Sequence, residues 1–330
     1  MNKRTQLFFL LLIVTLITSF VGHLFAGQVK ITFSDYWNAV FRLDESNTNH
    51  LIVREFRIPR AVIAIIAGAG LSVAGMFMQT LFNNPLAGPY VLGINSGSSL
   101  FVAFSMMTGL SFLQSDIGII SSALLGALIF GFIILFFSFF TRHHVTLLLV
   151  GLMLGSFTGA IISVLQTMSS AQELKAFTIW TMGSLQHVQF DQLPLVILFF
   201  ALGTIGSLFL IKPMNVLVLG EKSTELLGLN IQSVRVFTII ITALFTGVVT
   251  AFCGPIAFVG LAVPNLTKTL FRTQNHSVLL IGNFFIGAIF LLISDSIIQL
   301  LEATIQLPIN AFTSLVGAPF IIYIVLKRLK

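Results

Sequence analysis

The sequence is short of charge, has almost no cysteine, and nowhere clusters its prolines. Only 8% of its 330 residues are Asp, Glu, Lys or Arg, against about 25% in an ordinary soluble domain. Most of the chain must therefore sit where a charge would be costly, which excludes a soluble enzyme or binding module. The single cysteine, Cys253, excludes a disulfide framework. No Cys/His cluster has metal-ligand spacing, so structural zinc and redox catalysis are set aside. Seventeen basic against eleven acidic residues give a net charge of +6. The basic residues form no dense run, which argues against a nucleic-acid partner and leaves them as markers of topology. With no low-complexity linker and a longest polar interval of only residues 26–57, the chain carries no appended soluble domain.

What is present is apolar: 56% of positions are hydrophobic and the mean hydropathy is +1.02. A hydrocarbon core of about 30 Å takes roughly 20 apolar helical residues to cross. Ten apolar stretches bounded by charges, prolines or polar clusters lie near residues 5–25, 58–82, 93–108, 117–140, 145–168, 192–211, 236–252, 256–270, 277–300 and 311–326. The fold expected is an all-α integral membrane protein of ten transmembrane helices, one membrane domain over residues 1–330. Lys3 and Arg4 ahead of the first run resemble a secretory signal, and we read the run as an uncleaved first helix. Placing the amino terminus inside puts Lys3, Arg4, Arg142, Lys212, Lys222, Arg235, Lys268, Arg272, Lys327, Arg328 and Lys330 in the cytoplasm, eleven of the seventeen basic residues. Eight of the eleven acids fall outside. Both termini are then cytoplasmic, as the positive-inside rule requires.

Spans 2–5 and 7–10 form two groups of four separated by one extra span, so they run in opposite directions, the arithmetic of an inverted repeat. Each group holds a Gly/Pro-broken element, NNPLAGPYVLGINSG at 83–97 and GPIAFVGLAVPNLTK at 254–268. Irregular backbone at membrane depth survives only when buried in protein or lining a cavity. Both elements are thus candidates for a pathway or gate, though a tight turn between helices explains the first equally well. Small residues in AIIAGAGLSVAGMFMQ of span 2, and Gly151, Gly155 and Gly159 at four-residue spacing in span 5, suit close helix packing.

Asp295, towards the outer end of span 9, is the clear intramembrane acid. It is either an ion-coupling carboxylate or an acceptor for neighbouring helix ends. The histidines His23, His50, His143, His144, His187 and His276 read as solvated polar residues. The longest cytoplasmic loop, KPMNVLVLGEKSTELLGLNIQSVR from Lys212 to Arg235, contains a short helix with Ser223 as candidate N-cap, Glu225 in its first turn and Gly228 as its stop. Such a helix offers Leu226, Leu227 and Leu229 to a partner's groove or to the membrane surface. GEKS lacks the upstream glycine of a phosphate loop, so this chain does not hydrolyse nucleotide. At the entry to span 2, LIVREFRIPR spaces Arg54, Arg57 and Arg60 three apart. In a helix they form a positive ridge, suited to the carboxylates of a docking protein or to lipid phosphate.

Five segments resemble, in order, the landmarks of the FecCD-type permeases, the membrane subunits of importers for ferric siderophores, haem and cobalamin. They are RIPRAVIAIIAGAGLSVAGMFMQTLFNNPLAGPYVLGINSGSS, WTMGSL at 180–185, LGEKSTELLGLN, GPIAFVGLAVPN and LPINAFTSLVGAPFIIYIV. The resemblance implies a transport subunit, not an enzyme, in a bacterial cytoplasmic membrane. It implies two ATPase subunits that bind ATP and Mg, with no cofactor in this chain, a second permease copy or homologue, and an extracytoplasmic solute-binding protein. It assigns ATPase coupling to the loop of Gly220, Glu221, Glu225, Leu227 and Gly228, and docking to Arg57 and Arg60, with Arg54 as an extra. The pathway would be lined by Gly254, Pro255, Gly260, Pro264 and Asn265 and, in span 5, Met153, Ser156 and Gln166. An iron–siderophore complex is the expected cargo. The family's usual NPLADP reads NPLAGP here, with Gly88 in place of the acid. Its VPHIAR reads VPNLTK, with Asn265 and Lys268 in place of His and Arg. The alternative, an ion-coupled secondary transporter, would need buried carboxylates beyond Asp295, and an intramembrane hydrolase would need a nucleophile with a base or metal pair.

Overall fold

The computed structural model describes residues 3–42, 44, 46–108, 114–141, 144–302 and 304–328. Arg142 and Lys330, assigned above to the cytoplasmic side, and His143, read as a solvated histidine, lie outside these residues. Every regular element among them is helical: α1 Lys3–Phe25, α2 Phe33–Phe41, α3 Thr48–Ile52, α4 Ile58–Leu81, α5 Ile94–Met107, α6 Asp116–Phe140 and α7 His144–Met168. The second half holds α8 Ala171–Thr181, α9 Leu193–Leu217, α10 Glu221–Leu226, α11 Ile231–Cys253, α12 Val259–Phe271, α13 His276–Leu301 and α14 Ile309–Arg328. Each of the ten apolar stretches contains one of these helices. Among the described residues seven helices are long and apolar enough to cross a membrane. The helices at 94–107 and 259–271 are shorter, and α14 has its apolar part at Ile309–Tyr323.

The core is built around α4. Of the apolar stretch that ends in α4, 89% is buried, against 11% for α1 and 17% for α7. Lipid gives helices no hydrophobic reason to associate, so close packing must do the work, and small residues permit it. A Cβ on Gly68 would strike the backbone of Gly287 in α13, and one on Gly75 would strike Gly260 in α12. The Gly151/Gly155/Gly159 face is used unevenly. Gly151 packs on Val91 and Leu92, while Gly159 has nothing within 4 Å.

Two features depart from the sequence expectation. The polar interval 26–57 folds into α2, α3 and one widened π turn at Val53–Arg57. Pro59 has no N–H to give the carbonyl four residues back, which accounts for the loosened turn ahead of α4. The connection after α7 holds α8, whose start is fixed by a capping box between Ser170 and Glu173.

Candidate functional site

Between α11 and α12 the backbone leaves the helix. Gly254 sits at φ 69°, Pro255 follows, and Phe258 is left-handed at φ 66° before α12 begins. Such backbone at membrane depth needs internal partners, and it has them. The Ser184 N–H donates to Cys253 O at 2.7 Å, Ile256 N–H to the Tyr90 hydroxyl at 3.0 Å, and Ala257 N–H to Asn310 Oδ1 at 3.1 Å. Asn310 N–H in turn donates to Met182 O at 3.2 Å. The motifs WTMGSL, GPIAFVG and LPIN therefore meet at one junction, joined by Tyr90 of the first broken element. A cavity of about 320 Å³ opens beside it, lined by Met106, Trp180, Ser184, His187, Cys253 and Gly254.

Further along α12, Pro264 frees the carbonyl of Gly260 from its helical bond, at the point where α4 presses closest. Asn265 Nδ2 donates to Pro85 O and Leu261 O, both at 2.9 Å. Gln79 Nε2 donates to Leu261 O at 3.1 Å, and its Oε1 accepts from Lys268 Nζ at 3.2 Å. The two Gly/Pro-broken elements thus pack on each other, Gly88 lying against Leu261. Met153, Ser156 and Gln166 stand apart from this junction on α7, which packs on α5, α6 and the 89–92 turn. Met153 and Ser156 are exposed and Gln166 is half-buried.

At the entry to α4 the three arginines do not share a surface. Arg57 is 8% exposed and spends its guanidinium inside the chain, on Leu24 O and Val29 O at 2.5 Å and on the Tyr36 hydroxyl at 2.9 Å. Arg60 grips Asp295 through two parallel bonds of 2.7 and 3.0 Å and reaches Glu302 at 3.0 Å. Only Arg54 projects, over the ring of Phe190. The expected positive ridge is therefore replaced by a buried polar network, because two charges at this depth are stable only when paired. Asp295 is completed by His23 Nε2 at 2.7 Å and Gln299 Nε2 at 3.0 Å, so its carboxylate is occupied by structural partners. Gln186 donates to Glu302, and a polar cavity of about 510 Å³ lies over Arg60, Asp295, Glu302, Gln186 and Gln306.

The histidine reading is corrected at three positions. His23, His50 and His276 are 1%, 5% and 0% exposed. His276 is wedged between Asn215 and Thr80 by bonds of 3.0 and 2.9 Å. Among the described residues no group of three or more His, Cys, Asp or Glu could hold a metal ion.

The loop between α9 and α11 is the opposite of these packed sites. α10 begins at Glu221 with Gly220 as its N-cap at φ 98°, so Ser223 lies inside the helix and caps nothing. The side chain of Glu221 lies outside the description. Gly228 at φ 77° ends the turn as expected. Thr224 anchors the loop by donating to Gly220 O at 2.8 Å, Glu225 is exposed, and Leu226 and Leu227 are 89% and 63% exposed. Leu229 is half-buried.

A helical bundle with seven helices long and apolar enough to cross a membrane, closed at one end on its own charges and with irregular backbone bonded inside, is that of a multi-pass membrane protein. Residues 11–327 match the FecCD transport family, and the chain belongs to it. It is 31% identical to the hemin transport system permease protein HmuU of Yersinia pestis, over 99% of this chain and 98% of that protein. It is 33% identical to the vitamin B12 import system permease protein BtuC of Citrobacter koseri, over 95% and 92% respectively. Among solved structures it is similar to a transporter described as of the metal-chelate ABC type, in an inward-facing conformation. That likeness has a TM-score of 0.85 and 28% identity and covers 97% of this chain and 99% of the other. The chain is accordingly a subunit of an ABC importer, a transport component and not an enzyme.

Proposed function

We propose that this chain translocates an iron–siderophore complex inward by alternating access, driven by two ATPase subunits that bind ATP and Mg. In this reading ten spans cross the membrane with both termini cytoplasmic, and spans 2–5 and 7–10 form the inverted repeat. The relatives' names specify hemin and vitamin B12 and the structural neighbour is of the metal-chelate type, which supports a bulky metal chelate as the cargo class, within which the ferric siderophore is the choice made here. The observation that carries the coupling role is the loop Gly220–Gly228. Its exposed Leu226 and Leu227 would be buried by a partner's groove, which this reading takes in preference to the membrane surface. A second permease copy or homologue would cover the exposed face of α7, where Met153, Ser156 and Gln166 line the pathway. Gly254, Pro255, Gly260, Pro264 and Asn265 form the gate side of that pathway. A solute-binding protein docks on the outer face through Arg54 and the Arg60–Glu302 rim.

The test is reconstitution of the purified complex in proteoliposomes, with ATP-dependent uptake measured in parallel for a ferric hydroxamate, a ferric catecholate, hemin and cobalamin. Uptake of a ferric siderophore above the other two supports the proposal. Preference for hemin or cobalamin overturns the cargo, and uptake driven by an ion gradient without ATP overturns the mechanism.

A further inference from the structure

The segment between α1 and α4 carries an apolar surface for which transport has no use. α2 exposes Phe33, Trp37, Val40 and Phe41, with accessibilities of 73%, 57%, 55% and 65%. Their spacing places them on one stripe of the helix. The opposite face is pinned. Tyr36 and Ala39 are buried, the Tyr36 hydroxyl donates to Leu24 O and accepts from Arg57, and a capping box joins Thr32 to Asp35. Asp35 also accepts from Asn49 at 3.3 Å, which turns the acid of this helix away from the aromatic stripe and towards α3.

These ties fix the height of α2. Leu24 is in the last turn of α1 and Arg57 immediately precedes α4, so α2 lies where both helices leave the hydrocarbon. Its aromatic stripe also continues an existing lipid-facing surface. Leu7, Leu11, Val14, Val21 and Phe25 are exposed along α1, and the Phe25 ring, 4.9 Å from that of Tyr36 on the pinned face, ties the end of that surface to α2. Lys30 and Arg42, both exposed, stand just before and just after the helix. Aromatic residues on one face with basic residues beside them are the composition of helices that lie in the headgroup layer.

We infer that α2 is an interfacial helix seated in the bilayer, with Phe33, Trp37 and Phe41 at the acyl boundary and Lys30 and Arg42 on lipid phosphate. The orientation proposed above makes this the outer leaflet. Membrane seating itself does not depend on the cargo or the ATPase, so its failure is distinct from theirs.

The protein has two tryptophans, Trp37 and Trp180, and a Trp180→Phe variant leaves Trp37 as the sole reporter. The assembled complex is placed in nanodiscs of phosphatidylcholine and phosphatidylglycerol carrying bromine near the carbonyl end, at mid-chain or near the methyl end. Blue-shifted Trp37 emission, lost most with the shallow bromine and little affected by aqueous iodide, is expected. Quenching by iodide with no response to bromolipid overturns the inference. Protection from both overturns it too, because a second copy or a docked protein would then cover the stripe. Should Trp180→Phe fail to assemble, Val40→Cys with a nitroxide gives the same depth reading from relaxation by oxygen against a water-soluble nickel complex. Cys253 is 2% exposed and escapes the label.

Discussion

The two ends of the molecule solve the same problem in opposite ways. At the end where α4 begins, Arg57, Arg60 and Asp295 are folded inward and each of these three charges finds a partner within the chain. At the inner end the loop around α10 holds itself by backbone and Thr224 bonds and leaves two leucines exposed. Buried charge stabilises the subunit only while its partner is present, whereas exposed leucine gains nothing until something else covers it. The Arg57–Arg60–Asp295 network therefore belongs to the fold, and the α10 loop is left free to take a partner.

That contrast can be broken by mutation. Asp295→Leu strips the buried Arg60 guanidinium of its bidentate partner and leaves it only the partly exposed Glu302, and should cost about 3 kcal/mol. Thermal unfolding of the isolated chain in detergent checks this, and adding Arg60→Met should recover most of the loss. Intact stability in Asp295→Leu together with abolished transport would instead mark Asp295 as an ion-coupling group. Gly228→Ala forces a side chain into φ 77° and should cost about 1–2 kcal/mol locally. Its larger signature is ATP hydrolysis released from transport in the reconstituted complex. Glu302 is partly exposed, so Glu302→Gln should cost about 1 kcal/mol or less in unfolding experiments. A larger loss would place the rim within the fold proper. Leu226→Ser with Leu227→Ser should shift the stability of the isolated chain by no more than about 0.5 kcal/mol while weakening co-purification of the ATPase. Destabilisation of the chain alone would show that the loop packs on its own subunit.

The helices that cross or nearly cross the bilayer were legible because lipid demands long apolar runs, and each such run became a helix. The short helices outside the hydrocarbon were not, although their signals were present: Thr32 with Asp35, and Ser170 with Glu173, each spell a capping box. The arginines show why spacing misleads. Three residues apart in a regular helix implies one face, but Pro59 loosens the turn and the side chains part. The pairing of Arg60 with Asp295, 235 positions away, was foreshadowed by an intramembrane acid and an excess of outside arginine that each needed neutralising. His23 carried no such hint, since nothing in its own neighbours announces that its ring closes against Asp295. The convergence of WTMGSL, GPIAFVG and LPIN is a property of the fold, and no separation along the chain displays it.

The glycine contacts along α4 carry a mechanical meaning. Where Gly68 meets Gly287 and Gly75 meets Gly260, backbone rests on backbone with no side chain between to rotate aside. Helices joined in this way cannot slide or roll without first separating, since close-packed contacts have no slack. α4, α12 and α13 are therefore joined as a single strut, backbone against backbone.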